Sequence, residues 1–261
     1  MAETQSNFSD GAGYERFMGR WSRLVGQQFL AWIDAPKGKS WLDVGCGNGA
    51  FTEEIYNHAA PSAVIGIDPS EGQLAFARKR PGTLGAKFQL SEATPLPFGD
   101  ASFDVTDMAL VLAFVPDPAL AVAEMARVTK PGGIVASYMW DLPGGGAPLS
   151  QMMRAMQQLG CPTLQPPNAA FSSMEPKRQL WIDARLKSVE SIVIRITVSY
   201  NDFEDFWQTN TLPLGPQAKI IQDMSAETKD KLRAQLQNNL PIAQGGRIEF
   251  ESFANAVKGI V

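Results

Sequence analysis

Three alternating glycines close a short apolar run. Trp41-Leu42-Asp43-Val44 is followed by Gly45-Cys46-Gly47-Asn48-Gly49, and a second apolar run, Val64 to Ile67, ends on Asp68. A strand that stops in Gly-x-Gly-x-Gly must turn sharply, because glycine takes φ > 0 at no steric cost, and the missing Cβ atoms let a ligand approach the backbone. The pattern predicts a strand-to-helix turn beside a nucleotide-type ligand.

Three ligand readings compete for that turn. A phosphate-cradling loop requires Gly-x-x-x-x-Gly-Lys-Ser after a strand. Gly38-Lys39-Ser40 supplies its end, but Ile33 stands where the first glycine belongs and the strand comes afterwards. That reading fails. The dinucleotide fingerprint is met formally, since Gly45, Gly47 and Ala50 satisfy G-x-G-x-x-G/A and Asp68 lies near the expected acidic position. Asp43 and Gly49 decide the matter by extending the loop to Asp-x-Gly-x-Gly-x-Gly.

With these residues the chain resembles the class I S-adenosylmethionine-dependent methyltransferases, and four further segments continue the resemblance in order. Val64-Ile65-Gly66-Ile67-Asp68-Pro69-Ser70 is similar to the family's second strand, and Ser91-Glu92-Ala93-Thr94-Pro95-Leu96-Pro97-Phe98 to its adenine-side acidic segment. Ser102-Phe103-Asp104-Val105 with Leu110 to Asp117 resembles the fourth strand and the loop behind it, and Arg127 to Gly133 the turn into the fifth. The resemblance covers roughly residues 14 to 140. It implies a Rossmann-like α/β fold with a seven-stranded, mostly parallel sheet, an antiparallel last strand and a helical lid inserted after the fifth strand. The whole chain 1–261 then reads as one methyltransferase domain, with a cofactor-binding core at 14–140, a lid at 141–187 and C-terminal strands completing the sheet at 188–261.

The same resemblance implies S-adenosylmethionine as cofactor and S-adenosylhomocysteine as product, and it assigns the site residue by residue. Gly45, Gly47 and Gly49, with Cys46 and Asn48 between them, bring backbone to the amino-acid tail, and Asp43 helps neutralise its ammonium or orients the loop. Asp68 holds the ribose, because one carboxylate accepts hydrogen bonds from both hydroxyls; Pro69, Ser70 and Gln73 follow it. Glu92 or the Ala93 backbone faces the adenine amino group, and the Leu110 backbone closes the other side. Tyr14, Met18, Arg20 and Trp21 fold over the cofactor, although Trp21 with Phe17 and Leu24 also reads as a buried stripe. For each acid the competing role is a solvated loop carboxylate or a helix cap.

In-line displacement requires alignment of acceptor, methyl carbon and sulfur, so positioning and desolvation can replace a dedicated base. Many small-molecule members of the family carry a histidine after the fourth strand where this chain has Phe114, and Asn-Pro-Pro-Tyr is absent there. Phe114 and Asp141 are the residues expected beside the reacting atoms, Asp141 as a proton acceptor or amine anchor, with a turn or cap role of equal weight. Phe114, Trp140, Tyr200 and Trp207 offer flat apolar walls, which suit a small, largely apolar or aromatic acceptor. Two other classes remain open: a nicotinamide-dependent oxidoreductase, and a methyltransferase-like binding protein without turnover.

Composition sets the outer bounds. A chain of 261 residues with 44% hydrophobic content buries one substantial core. A net charge of −4 with no concentration of Lys and Arg argues against nucleic acid as partner. No apolar run has membrane-spanning length and Met1 to Asp10 is polar, so neither membrane nor signal peptide is expected and the default compartment is the cytoplasm. Cys46 and Cys161 are expected to remain thiols, and no metal site is expected, because the single histidine, His58, has no Cys or His at ligand spacing. Oligomeric state is left open.

Hydrophobic periodicity predicts a first helix over about Tyr14 to Ile33 and strands near 41–44, 64–67, 87–90, 103–108 and 133–140. Further helices are expected at about 149–159 and 173–185, and further strands at 189–200 and 247–257. Ser70-x-x-Gln73 reads as a capping box and Pro118 as a first-turn proline.

Overall fold

The computed structural model describes residues 19–213 and 217–261. Its strands are β1 (Ser40–Val44), β2 (Ala63–Asp68), β3 (Lys87–Leu90), β4 (Phe103–Ala109), β5 (Thr129–Trp140), β6 (Lys187–Tyr200) and β7 (Ile248–Ile260). They form a single seven-stranded sheet in the order β3-β2-β1-β4-β5-β7-β6. Strands β1 to β5 pair in parallel, and β7 pairs antiparallel with both β5 and β6. This is the expected sheet. The switch point of the strand order lies between β1 and β4, so the crevice for a ligand opens at their carboxyl ends.

One face of the sheet is covered by α1 (Arg20–Ile33) and α2 (Ala50–Ala59), the other by α4 (Pro118–Val128). Helix α1 buries Trp21, Val25, Phe29, Leu30 and Ile33, an i, i+4, i+8 stripe with its neighbours. It stops at Asp34, whose left-handed backbone (φ 51°) returns its N–H to Leu30 O. The stripe meets Trp41 and Val64 of the sheet and Phe51 and Ile55 of α2, each fully buried aliphatic side chain contributing about 1.5–3 kcal/mol. Tyr14, Phe17 and Met18, which the sequence places on this first helix, lie outside the described residues. Helix α3 (Glu71–Ala77) starts at Ser70, whose Oγ accepts the Gln73 N–H at 3.4 Å, half of the expected box. Asp117 caps α4 through the Leu120 N–H at 3.0 Å, with Pro118 in the first turn.

Between β5 and β6 the chain supplies α5 (Ser150–Gln158) and α6 (Met174–Asp183) to opposite faces of the sheet. Met152, Ala155 and Met156 of α5 enter the same core cluster as α1, whereas Leu180 and Trp181 of α6 join α4 on the other side. Trp181 Nε1 donates to Val135 O at 2.9 Å, which fixes α6 against β5.

Three helices stand between β6 and β7 where the periodicity suggested none: α7 (Phe203–Asn210), α8 (Ala218–Asp223) and α9 (Ala226–Asn239). They are carried on an overhang. Ile194 shares the level of Trp140 through their common neighbour Ala254, so Arg195 to Tyr200 run on past the end of β5 for roughly 20 Å. The Tyr200 ring packs 5.0 Å from Phe206 and 5.8 Å from Trp21, tying the overhang to α7 and to the start of α1. Leu232 and Leu236 of α9 close the same core cluster as α5.

Candidate functional site

All three glycines of the loop after β1 have left-handed backbone: Gly45 at φ 77°, Gly47 at φ 52° and Gly49 at φ 78°. Their missing side chains serve different ends. A Cβ on Gly45 would stand 2.5 Å from Val111 Cγ2, and one on Gly49 would meet Ala77 Cβ at 3.1 Å. A Cβ on Gly47 would have nothing within 4 Å. Gly45 and Gly49 therefore permit packing, and Gly47 alone leaves open space at the loop.

Asp68, the last residue of β2, organises that loop. Its Oδ2 accepts the Gly47 N–H at 3.0 Å and its Oδ1 the Ser70 N–H at 2.9 Å. Burial pushes its carboxyl above the usual range, the two amides oppose that, and Glu92 adds to the rise. One bond to each oxygen leaves lone pairs free for a diol. Glu92 itself is exposed, on the segment joined to β2 through the Ser91 N–H to Asp68 O bond. Ala93 is half-buried beside it and Pro69 is exposed.

Asp43 is wholly buried. Thr52 of α2 donates to its Oδ2 at 2.6 Å, and its Oδ1 has no partner. Burial raises its pKa to about 7, the Thr52 hydroxyl pulls it down and Asp68 pushes it up. Cys46 turns its thiol inward, towards the place where Gly66 has no side chain, so it offers a ligand only its backbone. Burial, followed by Asp43 and Asp68, pushes that thiol up. Asn48 Oδ1 accepts the Ala50 N–H at 3.1 Å and starts α2. Gln73 is buried with Oε1 unpartnered.

Across the switch point, Leu110 has φ 62°, an uncommon conformation for a side chain of its size, held by its N–H bond to Tyr138 O at 2.8 Å. The loop behind it is pinned from the distant 160s: Asn168 donates through Nδ2 to Val115 O at 2.7 Å and through its backbone to Ala113 O at 3.1 Å. Phe114 remains 37% exposed. Arg20 lies 4.1 Å over Trp21 and 4.9 Å over Tyr200. Tyr14 lies outside the described residues.

Two expected acceptor-side residues have structural work. Asp141 accepts from Gly144 N at 2.8 Å, Ser173 Oγ at 3.3 Å and Asn255 Nδ2 at 2.9 Å, the turn role. Tyr200 is buried and its hydroxyl accepts from Asn210 at 3.3 Å. His58, at the end of α2, faces Glu54 at 3.1 Å and is 45% exposed. Among the described residues there is no group of three or more His, Cys, Asp or Glu able to hold a metal ion, and no helix long and apolar enough to cross a membrane.

One residue escaped the sequence reading. Asp107 in β4 sits directly opposite Asp43 in the sheet register, wholly buried, with both carboxylate oxygens unpartnered. Burial and the neighbouring Asp43 push its pKa well up. An acid on the strand face that carries Phe103 and Val105, where alternation calls for an apolar side chain, was the available signal.

The loop thus combines an open backbone cradle at Gly47, a carboxylate with spare acceptor capacity at Asp68 and uncompensated negative groups beneath. These fit a ligand that carries a diol and a cationic tail. Residues 42–137 match the family profile described as a methyltransferase domain. Those residues carry a class I S-adenosylmethionine-dependent methyltransferase domain.

Relatives agree over that segment. A demethylmenaquinone methyltransferase of Renibacterium salmoninarum is 38% identical over 121 residues, 46% of this chain and 48% of the relative. A methyltransferase of Schizosaccharomyces pombe, itself uncharacterized, is 36% identical over 110 residues, 39% of this chain and 40% of the relative. The chain spans less than half the length of these curated relatives. Among solved structures, the YcgJ protein of Bacillus subtilis superposes with a TM-score of 0.59 at 20% identity, over 90% of this chain and 97% of the other. A phosphoethanolamine N-methyltransferase of Haemonchus contortus, solved with phosphomonomethylethanolamine and S-adenosylhomocysteine, gives 0.59 at 16% identity, over 99% of this chain and 58% of the other. At such identities the superpositions show a shared fold.

Proposed function

We propose that the protein transfers a methyl group from S-adenosylmethionine to a small, largely apolar or aromatic acceptor. The observation that carries this reading is the coupling of Gly47 to Asp68: a glycine that opens space at the loop is held by the carboxylate that would take the ribose hydroxyls. Asp43 supplies negative charge below the amino-acid tail, the strained Leu110 offers backbone on the far side, and Glu92 with Ala93 borders the adenine. The bound cofactor supplies a methyl group already activated by its sulfonium. The protein's own contribution is then to aim the acceptor and exclude water.

Phe114 is the candidate wall of the acceptor site, with Asn168 fixing the loop that presents it. Asp141 has its carboxylate occupied by three donors, so a dedicated base is not assigned to it. On this reading the cofactor-binding core is the segment 14–140, of which the described part begins at Gly19, and α5 together with the helices carried by 188–261 would cover the acceptor side. Relatives named demethylmenaquinone methyltransferases support a small-molecule acceptor.

Calorimetric titration with S-adenosylhomocysteine tests the cofactor, with binding expected in the micromolar range or tighter. Incubation of the protein with methyl-labelled cofactor and fractionated metabolite extract then identifies the acceptor by label in an organic-soluble product. Binding of NADH in place of S-adenosylhomocysteine would overturn the reading, and label confined to protein or nucleic acid would replace the small acceptor by a macromolecular one.

A further inference from the structure

Asp43 and Asp107 are neighbours on adjacent parallel strands, and both lie on the sheet face covered by α1 and α2. Strand alternation places them with Trp41 and Val105, which belong to that core cluster. Neither carboxylate reaches solvent. Three of their four oxygens are without a partner, the fourth being the acceptor from Thr52. Buried carboxylates are ordinarily paired or hydrogen-bonded, and an orphaned pair is costly unless a ligand or a proton compensates it.

The surroundings do not compensate it. From the loop and β2 the titratable groups are Asp68, which adds to the negative field, and Cys46, whose thiol burial and the two acids hold neutral. From β5 comes Tyr138, whose hydroxyl points towards Gly26 of α1. From the helices come Glu54, which faces Arg23, Gln27 and His58, and Arg20, which stacks on Trp21 and Tyr200 at the outer end of α1. Two carboxylates at one site hold a proton between them, because both cannot be ionised cheaply side by side.

We propose that Asp107 completes, with Asp43, a two-carboxylate receptor for the ammonium of the cofactor's amino-acid tail, and that the pair surrenders one proton to solvent when that ammonium arrives. The proposal rests on the cofactor reading above and assigns Asp107 a binding role within it. The balance is simple: the free protein carries one proton on the pair, the ligand brings one positive charge, and the proton leaves to buffer. Binding that releases a proton strengthens as pH rises, by up to about tenfold per pH unit while the pair is titrating.

The experiment is calorimetry with S-adenosylhomocysteine from pH 5.5 to 8.5, in two buffers of different ionisation enthalpy at each pH. Wild-type protein should bind progressively tighter with pH and release close to one proton from about pH 7 upward, where the pair holds one. Asp107→Asn leaves Asp43, held up by its own burial and by Asp68, as the one carboxylate of the pair for the ammonium; the variant should bind more weakly than wild type at every pH. A S-adenosylhomocysteine analogue without the α-amino group keeps the measurement independent of whether the variant folds: with wild-type protein it should bind more weakly and without proton release. Wild-type affinity that is flat in pH, or the same proton release with the deaminated analogue, would overturn the receptor while leaving the cofactor assignment intact. If wild-type protein ignores S-adenosylhomocysteine at every pH, the cofactor reading fails and this proposal with it.

Discussion

The amide of Gly47 donates to Asp68 Oδ2 at 3.0 Å, so the loop that closes β1 is held by the residue that closes β2. Two strand ends are thereby fixed in relation to each other by one carboxylate, and the ligand groups expected at each end are placed in a single frame. Loss of either partner should be read first in ligand affinity, because the sheet pairing of β1 with β2 is complete without them.

The two glycines of the turn should fail differently. Gly47→Ala puts a methyl group into open space, and its cost to the fold is the left-handed backbone alone, roughly 1–2 kcal/mol. Its melting temperature should fall by a few degrees while S-adenosylhomocysteine binding is lost. Gly45→Ala drives a methyl group to 2.5 Å from Val111 and should destabilise the protein well beyond Gly47→Ala. Comparison of thermal unfolding with calorimetry separates them; equal loss of stability would show that Gly47 serves packing.

Asp68→Ala removes the acceptor of two backbone amides as well as that of the diol. Cofactor affinity should weaken by roughly 1.5–3 kcal/mol or more, and Glu92→Ala, which alters an exposed carboxylate, should weaken it less. An unchanged dissociation constant in Asp68→Ala would break the link between this residue and the ribose.

Asp43 makes the free protein less stable as pH rises. Its folded-state pKa of about 7 lies above the ordinary 3.8, so its stability contribution is fully present below about pH 4 and is lost as pH climbs to 7. The difference is about 4 kcal/mol. Asp104, held down to about 2 chiefly by its bonds to Ser40, acts in a separate window below pH 4. Asp43→Asn can retain the Thr52 bond, so it should reduce the pH dependence of urea-unfolding stability between pH 4 and 7, leaving the part that the buried Asp107 carries, and raise stability at neutrality, while weakening cofactor binding. A pH slope as steep in Asp43→Asn as in the wild type would locate the titration elsewhere.

Lys177 of α6 has the opposite sign. It is wholly buried, its Nζ donating to Asn255 O at 2.9 Å, and burial depresses its pKa to about 7 against a small opposing pull from Asp141. Stability is therefore lost as pH falls from about 10.5 towards 7. Lys177→Met, of similar length and no charge, should raise the melting temperature at pH 6 to 7, and the gain should shrink towards pH 10. A pH-independent difference would mean that the lysine acts only through packing.

The parallel half of the fold is legible in the sequence because each of its turns carries a chemical constraint: positive φ at Gly45, Gly47 and Gly49, a strand-ending acid at Asp68, and Asp117-Pro118 opening α4. The helices between β6 and β7 carry no such mark. Helix α9 buries only Leu232 and Leu236, and α7 only Phe206 and Asn210, so a repeat too thin to read from sequence is made stable by the overhang of β6 and β7. Asp107 was obscured for a related reason. Asp104 and Thr106 already make Phe103 to Met108 a mixed stretch in which one more acid does not stand out, and only the register with Asp43 reveals two buried acids side by side.

Phe114 gives the sharpest test of the acceptor side. It sits on the loop after β4, whose neighbours Ala113 and Val115 are tied to Asn168, and it keeps 37% of its surface exposed although most large apolar side chains of this sheet are buried. Truncation to alanine removes an exposed ring, so it should cost little stability. It should also leave S-adenosylhomocysteine affinity within about twofold, because the residues that would hold the tail and ribose lie on the other strand ends. Methyl transfer should fall by at least about tenfold, the cost of losing one aromatic wall of about 1.4 kcal/mol or more. Asn168→Ala, which frees the loop without touching the ring, should reproduce part of that loss. Labelled-cofactor assays on the acceptor recovered from extract, run beside calorimetry, decide the matter: Phe114→Ala turnover equal to wild type would move the acceptor away from this loop.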